Sequence, residues 1–371
     1  MERAFAELIR RSANEIDFVV VSSELEEDLR PLVTWKRVPT PAKPAPLRFV
    51  LFWVLAGAML ARLRMDAVHT LGAITWRRAD LVTVQFCHAA FAEIGTRVDP
   101  GASLARRLNG RFHGAIALRA ERFCFHPERL KMFAAVSPGV QRELSRHYPG
   151  IPVALTPNGV DTERFRPDPA ARAAVRASHG ADASDVIAVF VGGDWHRKGL
   201  AVAIEALAVV ARDSAAPLRL WIVGEGEPQQ FRALSRKLGI EDRVSFFGRR
   251  ADVERYLQGA DIFVFPTSYE TFSIASYEAA ASGLPVLATA VSGIEDLIGA
   301  GDTGIAAEPV ADEVAAGLAR LSADSSLRSR LGAAGRHRAQ GFSWDRSASS
   351  VLEAYRVLLA EARATGVAPG A

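Results

Sequence analysis

Extended apolar segments alternate with helical segments five times between residues 186 and 298. Most of the extended segments end at a glycine or a proline, and the segments between them have the apolar spacing of amphipathic helices. The five strands are predicted at Val186–Val191, Leu218–Val223, Val244–Phe247, Ile262–Pro266 and Pro285–Ala290. Regular alternation predicts a parallel sheet with helices on both faces, whose ligands bind at the carboxyl ends of the strands.

The first half of the chain shows a similar but less regular alternation. Strands are predicted at 18–22, 66–70, 80–85, 132–137 and 153–156, and helices over 2–12, 47–63 and 102–122 and after Pro138. The segment 156–169, TPNGVDTERFRPDP, concentrates prolines and turn formers and is therefore predicted to be an interdomain linker. A chain of 371 residues is long enough for two domains.

Charge is unevenly distributed between the two halves. Residues 1–167 contain 24 basic and 17 acidic side chains, whereas residues 168–371 contain 21 and 25. The basic first half favours an anionic acceptor or membrane surface, although a solvated surface explains it equally well. Only five of the 45 basic residues are lysine, which is typical of a compositional bias, so the pI of 9.0 is not taken to indicate nucleic-acid binding.

The segment Phe49–Ala61 has 13 uncharged residues between Arg48 and Arg62. A membrane-spanning helix needs about 20, so a buried core helix or a helix on the membrane surface is expected instead. The N-terminus does not have the pattern of a signal peptide, and the two cysteines have neither metal-ligand nor redox spacing. The predicted location is the cytoplasm, with peripheral contact at the inner face of the membrane.

Two glutamates lie eight residues apart in the segment 263–290. Glu270 is predicted in the loop after a buried strand, and Glu278 in the helix that begins near Ser273, with Thr271 or Ser273 as its N-cap. The amide groups at 272–274 would form an anion site at the start of that helix. Carboxylates that can bind sugar hydroxyls therefore lie beside amides that can bind phosphate, which suggests a nucleotide-sugar pocket. The simpler alternative is that one glutamate caps the helix and the other is an incidental charge on it.

A second candidate segment is AVFVGGDWHRKGLAVAIEALA, residues 188–208. A strand runs into Gly192 and Gly193, and two cations, Arg197 and Lys198, precede the next helix. Such cations can neutralise a diphosphate leaving group as its charge grows. A solvated charge pair is the alternative, because the segment has neither the Walker spacing nor the GxGxxG pattern.

The glutamate segment resembles the signature of glycosyltransferase family 4, which comprises retaining GT-B enzymes with two glutamates separated by seven residues. The segment 188–208 also resembles this family, and is most similar to lipopolysaccharide core glucosyltransferases. The resemblance implies two Rossmann-like domains facing across a cleft, an acceptor domain over 1–165 and a donor domain over 166–344. It also implies that the last helix, within 345–371, crosses back onto the first domain.

The resemblance further implies a role for each candidate residue. Glu270 would contact the transferred sugar and Glu278 the ribose, while Arg197 and Lys198 grip the diphosphate. The remaining donor-site candidates would provide backbone groups or border the base, and they are Gly192, Gly193, Gly224, Arg249, Phe272, Ser273 and Ile274. His88, directly after a predicted strand, would face the sugar and the acceptor, although a lone histidine is more often structural.

The implied reaction transfers a sugar, with retention, from a nucleoside diphosphate sugar to a hydroxyl of a glycan or lipid-linked acceptor. No bound metal or cofactor is expected for this chemistry. Many family members have an arginine where this chain has Gly193, and glycines where it has Thr271 and Ser273.

Family members normally open with a strand and a glycine-rich loop before a helix similar to ERAFAELIRRS. This chain opens at that helix, so we expect a gap beside Phe18–Ser22 or a rearranged edge of the sheet, and a misassigned start codon is one explanation. The gap makes a non-catalytic homologue that binds nucleotide sugar or a partner an alternative function. A Rossmann oxidoreductase is a second alternative, but it requires a GxGxxG pattern that VGGDWHRKG does not supply.

Overall fold

The computed structural model describes residues 2–41, 44–94, 104–213, 217–299 and 301–365. The chain divides into two compact units. Unit 1 comprises residues 1–159 and 344–371, and unit 2 comprises residues 160–343. Each unit contains parallel sheet and helices, as the strand–helix alternation predicts.

Unit 1 contains six strands and six helices among its described residues. The strands are β1 Phe18–Ser22, β2 Val33–Arg37, β3 His69–Leu71, β4 Ala79–Val84, β5 Leu130–Ala135 and β6 Val153–Leu155. The helices are α1 Glu2–Ser12, α2 Ala45–Leu60, α3 His88–Ile94, α4 Leu104–Cys124, α5 Pro138–His147 and, from the end of the chain, α14 Trp344–Thr365. A 3₁₀ turn at Glu27–Leu32 leads into β2.

The strands of unit 1 form two separate sheets. β1 pairs only with β2 among the described strands, and β3, β4, β5 and β6 form a four-stranded parallel sheet in that order. A cavity of about 100 Å³ lies between them, lined by Val19 and Val21 of β1, by His69 and Thr70 of β3 and by one face of α2. Of the two expected outcomes, the described residues show the gap beside Phe18–Ser22.

Helices α1 and α14 cover one face of the four-stranded sheet. Their apolar side chains form a single core with the sheet, which consists of Leu8, Leu81, Met132, Ala134, Ala348, Val351, Ala354 and Leu358. The end of the chain therefore completes the first unit. Burying such side chains supplies about 25 cal/mol per Å² of apolar surface removed from water.

His69 connects three elements of this packing. Its Nδ1 lies 2.7 Å from the hydroxyl of Tyr355 on α14, and its Nε2 lies 2.8 Å from the hydroxyl of Thr83 on β4. The ring of Phe5 on α1 packs against the imidazole at 4.6 Å. Burial lowers the pKa of His69 to about 3, because the charged form would lose its hydration.

Unit 2 contains six strands and eight helices among its described residues. The strands are β7 Val186–Val191, β8 Leu218–Val223, β9 Val244–Gly248, β10 Ile262–Phe265, β11 Val286–Ala288 and β12 Gly304–Ala306. The helices are α6 Pro169–Ser178, α7 Leu200–Asp213, α8 Pro228–Lys237, α9 Val253–Gly259, α10 Ile274–Ala281, α11 Glu295–Ile298, α12 Ala311–Ala323 and α13 Ser325–Ala339. A 3₁₀ turn at Glu241–Arg243 precedes β9.

All neighbouring strands of unit 2 are parallel, in the order β12-β11-β10-β7-β8-β9. The chain passes from β7 to β8 and β9 on one side, and then returns to place β10 on the other side of β7. The order of the strands therefore reverses between β7 and β10. Loops that leave two such strands diverge and open a crevice, which is where open parallel sheets bind their ligands.

The sequence prediction places most of the strands correctly. The five strands of the second half are confirmed, and the predicted strand 66–70 is shorter and later, at His69–Leu71. The strands β2 and β12 and the helices α3, α6, α12 and α13 were not predicted. α6 begins within the predicted linker, where Asp168 accepts hydrogen bonds from the amides of Ala170 and Ala171 and Pro169 occupies the first turn.

The apolar segment 49–61 is helical up to Leu60, in α2. One of its faces is covered, because Trp53 packs on Phe123 of α4 and Ala56 lines the cavity beside β1. The opposite face leaves Val50 and Val54 more than 40% exposed. The helix is therefore a surface helix with an apolar outer face. No helix among the described residues has the length and hydropathy needed to cross a membrane.

The loops after β7 and β10 are in direct contact. Gly199, with φ +78°, ends the first loop, and a Cβ at this position would lie 1.9 Å from the carbonyl oxygen of Pro266. The amide of Ser268 donates to the carbonyl of Arg197 at 2.9 Å, which joins the two loops again. The absence of a side chain at residue 199 is therefore a condition for the two loops to meet.

Acidification should destabilise the chain through His69. The group has a folded pKa far below its unfolded value of about 6.5, so its contribution to stability is complete above pH 6.5 and is lost as the pH falls toward 3. Urea unfolding of His69→Gln should show a weaker decline over that range than the parent chain. His126→Gln, a substitution of a histidine with 58% side-chain exposure, is the control. An equal pH dependence in His69→Gln and the parent would contradict the assignment.

Substitutions at Gly199 and Gly239 should separate two effects on stability. One is the cost of a positive φ at a residue with a side chain, and the other is the clash of a Cβ at residue 199 with Pro266. Gly199→Ala places a methyl group against the Pro266 carbonyl, whereas Gly239→Ala, at φ +70°, meets no atom within 4 Å. We expect Gly239→Ala to cost about 1 kcal/mol of unfolding free energy, and Gly199→Ala to cost about 2 kcal/mol more because of the overlap. Urea denaturation measures both. Equal losses would show that the two loops do not need to approach each other closely.

Candidate functional site in unit 2

Arg197 and Glu270 bring the two loops together at the carboxyl end of the sheet. Arg197 Nη1 donates to Glu270 Oε1 at 3.2 Å and also to the carbonyl of Tyr269. Its Nε donates to Asp194 Oδ2 at 2.7 Å. Neither loop has regular secondary structure, so these contacts fix the guanidinium relative to the sheet. The Arg197 Nη2 group has no hydrogen-bond partner among the described residues, and its two N–H groups are available to an anion.

Lys198 lies beside the same carboxylate. Its Nζ is 3.7 Å from Glu270 Oε1, and its side chain is only 18% exposed. The ammonium lies over the backbone of Gly192, since a Cβ there would lie 2.7 Å from Nζ. No described residue is hydrogen-bonded to this ammonium. A largely buried cation with free donors is suited to binding an anionic ligand.

Two opposing effects act on the charge of Arg197. Burial lowers the pKa of Arg197, but the carboxylates of Glu270 and Asp194 outweigh burial and raise it above its ordinary value. The guanidinium therefore remains charged at every physiological pH. A fixed positive charge at this place can stabilise negative charge that develops on a bound group.

The backbone before α10 has an unusual conformation. Ser273 has φ 56°, in the left-handed region that favours glycine, and its hydroxyl lies 2.7 Å from that of Ser276. Ser273 occupies the N-cap position of α10, one of the two predicted, but its side chain makes no capping hydrogen bond. Ser273 therefore has a backbone conformation that glycine adopts with less strain. The departure noted in the sequence thus leaves the loop geometry possible, at a cost of about 1–3 kcal/mol.

Stacked aromatic rings in the core support the same loop. Phe272 is buried and stacks on Tyr277 with 4.2 Å between ring centroids. The Tyr277 hydroxyl donates to the carbonyl of Gly293 at 2.9 Å. Because its ring is packed in the core, Phe272 can present only backbone to a ligand. Ile274, which begins α10, is half-buried.

The other predicted donor residues have different surroundings. Glu278 lies on α10 and is 7% exposed, as expected for a carboxylate near the buried face of the helix. Gly224 touches Gly192, because a Cβ on Gly224 would lie 2.1 Å from the Gly192 carbonyl oxygen. Gly193 lies near the carbonyl of Glu225. Arg249 is 86% exposed and is 3.9 Å from Glu225, so it is the least fixed of the candidates.

His88 lies in unit 1, at the start of α3. Its Nδ1 is 2.6 Å from Oε1 of Glu121, a buried residue of α4 that the sequence reasoning missed. The sequence contains a signal for it, because Glu121 follows Ala117 and Ala120 on the buried face of the helix. Asp194 was also missed, although it adjoins the Gly-Gly turn. Among the described residues, no three His, Cys, Asp or Glu side chains are grouped as a metal site requires.

Family models match almost the entire chain in two parts. Residues 1–164 match the model described as Glycosyltransferase Family 4, and residues 171–338 match the model of Glycosyl transferases group 1. The family implied by the two loop motifs is therefore confirmed. An oxidoreductase assignment does not agree with these matches.

Two curated relatives are similar over about half of this chain. The D-inositol 3-phosphate glycosyltransferase of Rhodococcus opacus (strain B4) is 32% identical over 230 residues, which are 58% of this chain and 50% of the relative. The lipopolysaccharide glucosyltransferase WaaG of Escherichia coli (strain K12) is 34% identical over 176 residues, 46% of this chain and 47% of the relative. The chain thus spans about half the length of the curated relatives it matches.

Solved structures extend the similarity of fold to nearly the full length. The crystal structure of WaaG has a TM-score of 0.79 and 24% identity, and covers 96% of this chain and 95% of that one. Anabaena Alr3699/HepE in complex with UDP-glucose has a TM-score of 0.67 and 17% identity, with 94% of each chain covered. At these identities the likeness establishes the fold. The chain belongs to glycosyltransferase family 4 and has the GT-B fold of two Rossmann-like domains.

Proposed function

We propose that the chain transfers a glycosyl group, with retention, from a nucleoside diphosphate sugar to a hydroxyl acceptor. The observation that carries the proposal is the convergence of Arg197 and Lys198 on Glu270 at the β7/β10 crevice. Cationic donors and a carboxylate within one small site match the two parts of such a donor, its diphosphate and its sugar. HepE, whose fold is shared, was crystallised with UDP-glucose.

The chemistry of the proposed site is electrostatic. As the bond from the sugar to the diphosphate breaks, negative charge grows on the leaving oxygens. The free donors of Arg197 Nη2 and Lys198 Nζ would bind those oxygens, assisted by the first amides of α10. Glu270 holds both cations before the donor arrives and would contact the sugar, while Glu278 would bind the ribose. The proposed reaction uses no metal, because protein cations take the role that a metal ion has in other transferases.

The proposed acceptor is a glycan or lipid-linked molecule used in cell-envelope or extracellular glycan synthesis. WaaG is named a lipopolysaccharide glucosyltransferase, and its chain resembles this one both in part of the sequence and in fold. His88 of unit 1 is proposed to face the sugar and the acceptor. We place the protein in the cytoplasm, in peripheral contact with an anionic membrane.

The membrane proposal depends on one surface, the α2–α4 surface, which is formed by the outer faces of those two helices. It exposes large apolar side chains, of which Phe112 is 62% and Leu108 is 56% exposed on α4. Leu47, Val50 and Val54 continue it on α2. Exposed arginines lie on these two helices or just beyond their ends, namely Arg48, Arg62, Arg64, Arg111 and Arg122. Exposed apolar side chains on helices that also carry arginines suit the headgroup region of an anionic bilayer.

Substituting the cations should test the donor site. With the best of a panel of nucleotide sugars, Arg197→Ala and Lys198→Ala should each lower kcat by about 10²–10³, because each removes a preorganised charge. Release of nucleoside diphosphate measures the rate. Lys237→Ala is the matched control, since the last turn of α8 lies at the opposite end of the sheet.

Three outcomes of this assay discriminate between functions. Transfer that depends on both cations supports the proposed enzyme. Tight binding of nucleotide sugar with no turnover by the parent chain would indicate the non-catalytic homologue. Parent turnover that both alanine variants retain would show that the donor binds elsewhere.

The α2–α4 surface should control membrane binding. Val50→Asp/Val54→Asp should reduce sedimentation with phosphatidylglycerol vesicles at low salt by about tenfold, and the parent should be released at high salt, where charges are screened. Val310→Asp changes a 47% exposed valine of unit 2 and should have no effect. Absence of parent sedimentation at low salt would refute the membrane proposal and leave the donor site untouched.

A further inference from the structure

Glu121 of α4 is a buried carboxylate next to His88. It is 2% exposed, and the neighbouring turns of its helix face bury Ala117 and Ala120. Removing a carboxylate from water is costly unless hydrogen bonds replace its hydration. The hydrogen-bond donors around Glu121 therefore show which groups this buried carboxylate fixes in position.

Four donors surround the Glu121 carboxylate. Oε1 accepts from the backbone amide of His88 at 2.9 Å and lies 2.6 Å from His88 Nδ1. Oε2 accepts from the amide of Ala89 at 3.2 Å and from the hydroxyl of Tyr148 at 3.0 Å. Two of these contacts hold the backbone at the start of α3, and one holds the ring of His88. The carboxylate thus fixes both the position and the orientation of one histidine.

The direction of the hydrogen bond between Glu121 and the His88 ring follows from the other three hydrogen bonds of the carboxylate. Burial, and then the Glu121 charge, raise the pKa of Tyr148 well above its usual range, so this hydroxyl keeps its proton and donates it. A carboxylate has about four lone-pair positions, which match four donors. His88 Nδ1 must therefore carry a hydrogen, and in the neutral imidazole Nε2 then has a free lone pair.

The outer edge of the His88 ring remains accessible. The side chain is 32% exposed, and no described residue is hydrogen-bonded to Nε2. Phe86 packs edge-on against the imidazole at 4.8 Å and limits its rotation. The His88 imidazole is therefore held in one orientation, with Nε2 as a hydrogen-bond acceptor at the surface of unit 1.

We propose that Glu121 is a positioning residue, which fixes His88 as the Nδ1–H tautomer so that Nε2 accepts a hydrogen bond from a sugar hydroxyl. The inference rests on the proposed transferase function, because it needs a sugar beside His88. Without Glu121, a neutral His88 could carry its proton on Nε2, and a hydroxyl would then meet a donor instead of an acceptor.

Nitrogen NMR of the full chain labelled with ¹⁵N-histidine tests the tautomer without substrate. The spectrum is recorded about two units above the ordinary histidine pKa of about 6.5, and His88 is assigned by its loss in His88→Asn. We expect a protonated Nδ1 and a bare Nε2 in the parent chain. Glu121→Gln, which has nearly the same shape but lacks the charge, should give a mixture of tautomers. Glu93→Gln is the matched control, because Glu93 lies on the same helix α3 but pairs with His147.

Kinetics of the same variants test the consequence. Glu121→Gln should lower kcat for donor hydrolysis by about 10-fold or more with little change in the donor KM, while Glu93→Gln stays within about twofold of the parent. If only transfer to the acceptor slows, the hydroxyl belongs to the acceptor, which also supports the positioning role.

Two results would overturn the inference. The first is a spectrum of the parent chain that shows His88 protonated on Nε2. This result can be obtained even if the Glu121 variant does not fold. The second is a folded Glu121→Gln protein with the parent tautomer and parent kcat. An inactive parent with the expected tautomer would count against the transferase function, whereas an active parent with the wrong tautomer would count against Glu121 alone.

Discussion

The contact between the loops after β7 and β10 is the constraint on which the proposed site depends. Parallel strands place their carboxyl ends at one edge, and the reversal of strand order between β7 and β10 marks the place where open parallel sheets bind their ligands. Gly199 allows the two loops to touch, and Arg197 then bonds to both Tyr269 and Glu270. The cations are thereby held in place before any ligand binds, which is the condition for efficient electrostatic stabilisation.

The sequence was most informative where burial leaves a simple pattern. The strands β7, β10 and β11 are continuous apolar runs because helices cover both faces of their sheet, and the Rossmann-like character of unit 2 follows from them together with β8 and β9. The strand β2, VTWKR, was missed because it is mostly exposed, with charged residues at its end. Helix α3 was missed because HAAFAEI is too short to show a helical period.

The candidate site was predictable in part. The pairing of Arg197 with Glu270 joins residues 73 positions apart, and only the order of strands brings their loops together. The left-handed backbone of Ser273 was hidden because serine ordinarily signals a cap at a helix start. Glu121 was hidden because its role appears only when α4 packs against the start of α3, 33 residues away in sequence. Charge and spacing therefore indicate candidates, whereas tertiary packing decides which of them meet.

A crystal structure of the chain with a bound nucleoside diphosphate sugar tests the central claim most directly. We expect the diphosphate oxygens to lie within hydrogen-bond distance of Arg197 Nη2 and Lys198 Nζ, with the sugar beside Glu270. A diphosphate bound elsewhere in unit 2, with Arg197 and Lys198 still paired only with Glu270, would contradict it.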